Sequence, residues 1–286
     1  MTQKTILGIH PSHRDDIADL VTRRPVPGPR VQQVDPFLFL NHHGPQVYPP
    51  NNRGLPFGPH PHRGFETVTF ILDGELMHLD SGGHESVIRA GGVQWMTAGS
   101  GLEHAELSPA AFKRVGGPLE ILQLWVNLPS HLKMTPPRYQ GLQAESIPVI
   151  PSTDEKARIH LISGTWNGVF GPVESLTGNF MTTIDAQDGA RIAFDGLQQR
   201  NVFLYVVSGN VRINGRDVSQ YNLVELDLAG DELILESIGK SRLLFGHGAP
   251  INEPVVAHGP FVMNTVEEIR QAIIDYQAGK FGAVPA

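Results

Sequence analysis

A chain of 286 residues with 40% hydrophobic composition can fill one large core or two ordinary ones, which argues against disorder. Its 22 Lys and Arg against 29 Asp and Glu leave a net charge of −7, which speaks against a general electrostatic hold on nucleic acid or an anionic membrane. With no cysteine, disulfides, iron–sulfur clusters and thiolate zinc sites are excluded, so any metal must be held by imidazole and carboxylate.

The opening "MTQKTILGIHPSHRDD" has no long apolar run, and nothing later approaches the roughly 20 apolar residues of a membrane span, so a soluble, cytoplasmic protein is expected. "RPVPGPR", Arg24 to Arg30, has PxxP-like spacing and reads as a rigid turn. Beyond it, 31 glycines and 23 prolines punctuate short alternating or apolar runs, a mainly β pattern. "FGPHPHRGFETVTF" puts His60 and His62 at i and i+2 of a strand, on one face. Asp73-Gly74 in "ETVTFILDGELMHLD" reads as a hairpin turn. "GGVQWMTAGSGLEHAEL" follows as a strand, a glycine-rich turn and a short strand with His104 and Glu106, again at i and i+2; "LEILQLWVNLP" is then a strongly apolar strand. The proline-rich, polar stretch from Pro129 to Lys156 reads as a linker.

The cadence returns in "NVFLYVVSGNVRING", where Ser208-Gly209 takes the place of Asp73-Gly74. Superposing the two turns sets Asp195 and Leu197 opposite His60 and His62, so the second copy has lost these side chains. In "NTVEEIRQAIIDYQAG", Thr265 and Glu268 form a capping-box pattern, Ile269, Ala272, Ile273 and Tyr276 keep helical spacing, and Gly279 suits the C-terminal cap.

Two imidazoles do not hold a metal. Two such pairs on neighbouring strands offer three imidazole nitrogens and a carboxylate, leaving a six-coordinate ion two positions for water, substrate or dioxygen. The plainer alternative is a set of hydrogen-bonded strand-end histidines. His42 and His43 read as loop or capping residues, His78 and the remaining histidines as isolated, Phe57, Phe65, Trp95 and Met96 as core, and Arg63 as an exposed or salt-bridged strand-end residue, the alternative being a group that attracts an anionic substrate.

Gly54, His60, His62, Glu66 and Gly74 resemble the first cupin motif, G-x5-H-x-H-x3-E-x6-G, with seven residues instead of six between Glu66 and Gly74. Gly101 and His104 fit the second motif, whereas Gly99 and Ser108 stand where proline and asparagine are usual. "HPHRGFETVTFILDGELMHLDSGG", "VQWMTAGSGLEHAE" and "EPVVAHGPFVMNTVEEIRQAIIDYQAGKFG" resemble the pirin family in that order. The resemblance implies an all-β fold of two tandem cupin barrels (double-stranded β-helix, or jelly-roll) with a C-terminal helix. The expected division is a metal-binding barrel over residues 1–135, a linker over 136–155, and a barrel without metal over 156–286 carrying a helix over 265–278. It further implies Fe(II) held by His60, His62, His104 and Glu106, with Glu66, the carboxylate ligand of many other cupins, left structural or outside the ligand set. Mn, Ni, Co, Cu or Zn would also suit these donors. Quercetinase activity in some members implies a flavonol-type aromatic substrate, dioxygen and Glu106 as catalytic base. Animal members imply the alternative, a non-enzymatic, iron-dependent redox sensor with a protein partner. A cupin isomerase or hydrolase using zinc or manganese is a third reading.

Overall fold

In this computed structural model, residues 2–285 are described, and the runs of alternating apolar side chains become strands from Ile6 to Met263. They assemble into two compact units that interleave in sequence. One unit takes the chain up to His13, residues 24–38 and residues 146–250; the other takes residues 14–23, residues 39–145 and the chain from Ile251 on. The expected end-to-end division therefore gives way to one in which the C-terminal helix belongs with the histidine-bearing strands. Nor is the 136–155 stretch a free linker: Arg138–Leu142 pairs with Val93–Thr97, and Val149–Pro151 pairs with Ala157–Ser163. Pro136, Pro137 and Pro148 flank these short pairings and Pro151 ends the second, while the β-capable residues Tyr139 and Leu142 extend one sheet and Val149 and Ile150 another.

The unit without the histidine cluster is built on one nine-stranded sheet. Its centre is the antiparallel pair Asn201–Ile213 and Leu233–Gly248, and its interior is hydrocarbon, including Ile159, Leu204, Val206, Leu243 and a stacked Phe194–Phe245 pair at 4.1 Å. Asp195 is exposed and Leu197 lies in that core, so the positions matched to His60 and His62 contribute solvation and packing instead of ligands.

The other unit has two large sheets and, among the described residues, a small two-stranded one formed by Val256–His258 and Phe261–Met263. Of the large sheets, one has four strands, ordered Phe57–His62, Leu102–Leu107, Glu75–Asp80, Glu85–Arg89; the other has seven, with Val93–Thr97, Phe65–Asp73, Gly117–Asn127 and Phe37–Tyr48 adjacent in that order. Leu76 and Ile88 of the first sheet pack against Tyr48, Ile71 and Ile121 of the second, burying the apolar face of each.

Asp73-Gly74 is not a hairpin turn. The strands on its two sides join different sheets, and Gly74, at φ +80°, is the corner where the chain crosses over. Gly209, at φ +79°, is the matching corner, a bulge inside one long strand with register shifts on both sides of Ser208. A Cβ at either glycine would run into a carbonyl oxygen, that of Pro118 or Lys240. Both the left-handed φ and the close approach thus require glycine.

The C-terminal helix, Val266–Gln277, forms as its sequence dictates. Thr265 Oγ1 accepts from the Glu268 N–H at 3.2 Å, and the Glu268 carboxylate accepts from the Thr265 N–H at 2.9 Å, closing the capping box. Ile269 and Ala272 face inward onto Phe261, Met263 and Phe281.

Candidate metal centre

The strands Phe57–His62 and Leu102–Leu107 run antiparallel with His60 directly opposite His104 and His62 opposite Leu102. The side-chain period of two then turns His60, His62 and His104 into one volume. Ring centroids lie 4.4 Å apart for His60 and His104, and 4.9 Å apart for His62 with either of the others. One nitrogen from each ring comes within 4.8 Å of the other two, a spacing that a single cation can span.

The electrostatics favour neutral imidazoles at His62 and His104. His60 is half-buried, whereas His62 and His104 are almost fully enclosed. Burial, with the His60 ring adding to it, pushes the His62 imidazole down to about 3, and burial with the His62 and His60 rings nearby holds His104 well below its ordinary value. The Nδ1–H of His60 donates to the Gly58 carbonyl at 2.7 Å and that of His62 to the Pro260 carbonyl at 3.2 Å, which leaves both Nε2 lone pairs for a cation. Both ring nitrogens of His104 are buried without a hydrogen-bond partner. A buried polar atom left unsatisfied costs about 1–3 kcal/mol, and a cation among the three rings would relieve it. The donor set therefore fits a borderline divalent metal.

Glu106 lies two residues beyond His104, with His78 opposite it on the neighbouring strand. Its carboxylate stands outside the histidine group, accepting from Thr69 Oγ1 at 2.9 Å and from Gln123 Nε2. Glu66 points to the opposite face of its strand from Thr69. It accepts from Thr97 Oγ1 at 2.7 Å, and burial raises its pKa. His42 donates to Glu120 at 2.9 Å and His43 is bonded to Thr22 at 2.8 Å, so neither joins the group. Phe65, Trp125 and Phe39 form an aromatic wall beside His62, with the Trp125 ring 5.4 Å from the imidazole. Arg63 is buried and paired with Asp275.

In the sequence His78 reads as isolated. Its ring lies 5.5 Å from that of His104, stacks on Tyr139 at 4.0 Å, and bonds to Asp80 at 3.0 Å. Burial pushes the Asp80 carboxyl up, but the His78 imidazole and the backbone and ring of His84 outweigh it and hold the group at about 2. Thr69 and Gln123, the partners of Glu106, were also missed. They sit opposite each other on paired strands, a juxtaposition that strand register shows and a single sequence does not.

The pKa displacements have a consequence for the metal-free protein. An unfolded chain takes up protons on His62 and His104 below about pH 6.5, while the folded chain resists doing so, so this stability is present above that pH and lost on acidification. Between pH 7.5 and 5.5 the two groups should remove about 3 kcal/mol, read as a lower urea midpoint in the presence of a chelator. An unchanged midpoint would show that these rings are not held neutral.

Two cupin domains, one of them lined by histidines, define a bicupin. A family model described as Pirin matches residues 19–126, and one described as Pirin C-terminal cupin domain matches residues 181–282. A pirin-like protein of Caulobacter vibrioides is 39% identical over 255 residues, 88% of this chain and 90% of that one. The crystal structure of a quercetin 2,3-dioxygenase from Acinetobacter baumannii superposes with a TM-score of 0.93 at 35% identity, covering 98% of this chain and 99% of that one. A bacterial pirin from Escherichia coli, solved in complex with nickel(II), shares the fold at 21% identity and a TM-score of 0.67, over 85% of this chain and 99% of that one. The chain belongs to the pirin family. No helix among the described residues is long and apolar enough to cross a membrane.

Proposed function

We propose that this protein is a metal-dependent dioxygenase acting on a flavonol-type aromatic substrate, with His60, His62, His104 and Glu106 holding Fe(II) and Glu106 serving as the base. The observation that carries the reading is the convergence of three imidazoles, with both His104 nitrogens left without partners, on the strand that also presents Glu106. The Acinetobacter baumannii quercetin 2,3-dioxygenase supports the choice of reaction. Bound there, the ion would supply Lewis acidity toward adjacent hydroxyl and carbonyl oxygens and a redox-active centre for dioxygen.

The chain's own residues do the rest. His60 and His62 present Nε2, fixed by the carbonyls of Gly58 and Pro260. Glu106 accepts the substrate hydroxyl proton on a carboxylate oxygen, and Thr69 and Gln123 orient that carboxylate in the meantime. Phe39, Phe65 and Trp125 give a planar substrate an aromatic surface beside His62 and keep water from it.

Iron-loaded protein with a panel of flavonols should consume dioxygen, and a chelator should stop it. Silence across the panel at full metal occupancy would overturn the enzymatic reading in favour of the redox-sensing one, in which the bound iron controls a protein partner.

A further inference from the structure

The segment from Val256 to Val284 holds both strands that carry the imidazoles. The Pro260 carbonyl accepts the Nδ1–H of His62. At the residue just past that strand, Arg63 forms an isolated parallel bridge with Phe261, the Val262 N–H donating to the Arg63 carbonyl at 3.1 Å. The buried Arg63 guanidinium donates to Asp275 at 2.8 Å and to the Ser100 carbonyl at 2.8 Å, and lies 4.6 Å from the centre of the Phe281 ring. On the opposing strand, Glu103 precedes His104 and accepts from the Tyr276 hydroxyl at 3.1 Å and from the Val284 N–H at 3.2 Å. The enclosed Lys133 ammonium completes the arrangement, donating to the carbonyls of Gly64 and Val262 and to Asn127 Oδ1 at 2.7–3.0 Å.

Side chains alternate along a strand, so the residue next to an inward histidine points outward. Arg63 and Glu103 are those residues, and one helix takes hold of both through Asp275 and Tyr276. We propose that this C-terminal segment is a positioning strap for the metal centre. The Pro260 carbonyl fixes His62 as its Nδ1–H tautomer, and Asp275 and Tyr276 fix the separation of the two ligand strands. The inference rests on the metal-centre reading above. It adds Asp275, Tyr276 and the Pro260 carbonyl as positioning groups, none of which would touch the ion.

The test uses Co(II) in the full chain. Tyr276→Phe removes one hydroxyl and keeps the ring in its packing, and Asp275→Asn keeps an acceptor for Arg63. Each variant should bind Co(II) about 10-fold more weakly and shift its visible ligand-field bands, the scale set by losing groups that orient metal ligands. In Tyr276→Phe the metal-free unfolding midpoint should stay near that of the wild type. Wild-type affinity and bands in both variants would overturn the proposal, even with lowered midpoints, because the segment would then be structural only. A wild type that binds no Co(II) would overturn the metal-centre reading and the strap together, which separates that failure from one confined to the variants.

Discussion

Replacing His104 with alanine is expected to leave purified protein without stoichiometric metal, measured by elemental analysis after loading and desalting. Loss of an orienting partner alone weakens metal binding by about 10–100-fold, and removing a donor outright should exceed that range. The wild type should gain about 2.7 kcal/mol of stability when the free metal is at 100 times its dissociation constant, and His104→Ala should gain none. The metal-free midpoint should move far less. The variant loses two buried nitrogens that lack partners, which relieves strain, and opens a cavity, which opposes it. Full metal content in His104→Ala would show that the three converging rings are not the binding site.

Turnover should respond even more sharply to Glu106→Gln, falling by about 100- to 10,000-fold, the range a positioned general base supplies. Metal content should fall only in part, since three imidazoles remain. The amide is nearly isosteric, but Thr69 and Gln123 both donate to the carboxylate, and a neutral Gln cannot accept on both ends. One donor therefore turns away. Flavonol oxidation by Glu106→Gln at the wild-type rate, with oxygen uptake matched to metal content, would remove Glu106 from the chemistry.

What the sequence discloses is whatever depends on local period. The i, i+2 histidine pairs are visible because a strand repeats every two residues, and the C-terminal helix because Thr265, Glu268 and its apolar spacing lie within a few turns of one another. The corners at Gly74 and Gly209 are visible as glycine positions but misread as hairpins. A left-handed residue after Asp or Ser looks the same whether the next strand returns along the first or leaves for another sheet. The partners of the site are the least legible. Thr69, Gln123 and His78 reach it through register, and Pro260 through a backbone oxygen that carries no residue-type signal. The placement of the helix rests on Arg63 meeting Asp275, 212 positions away. Glu66 illustrates the converse: it fits the motif spacing, yet its strand face turns it away from the imidazoles.

The interleaving of the two units bears on biosynthesis. A ribosome releases the histidine strands long before the stretch that grips Arg63 and Glu103, with the whole 146–250 segment of the other unit synthesised in between. The histidine-bearing half is thus begun before the bulk of its neighbour and completed after it, and nascent chains stalled short of Asp275 and Tyr276 would leave the folding machinery with an unfastened barrel.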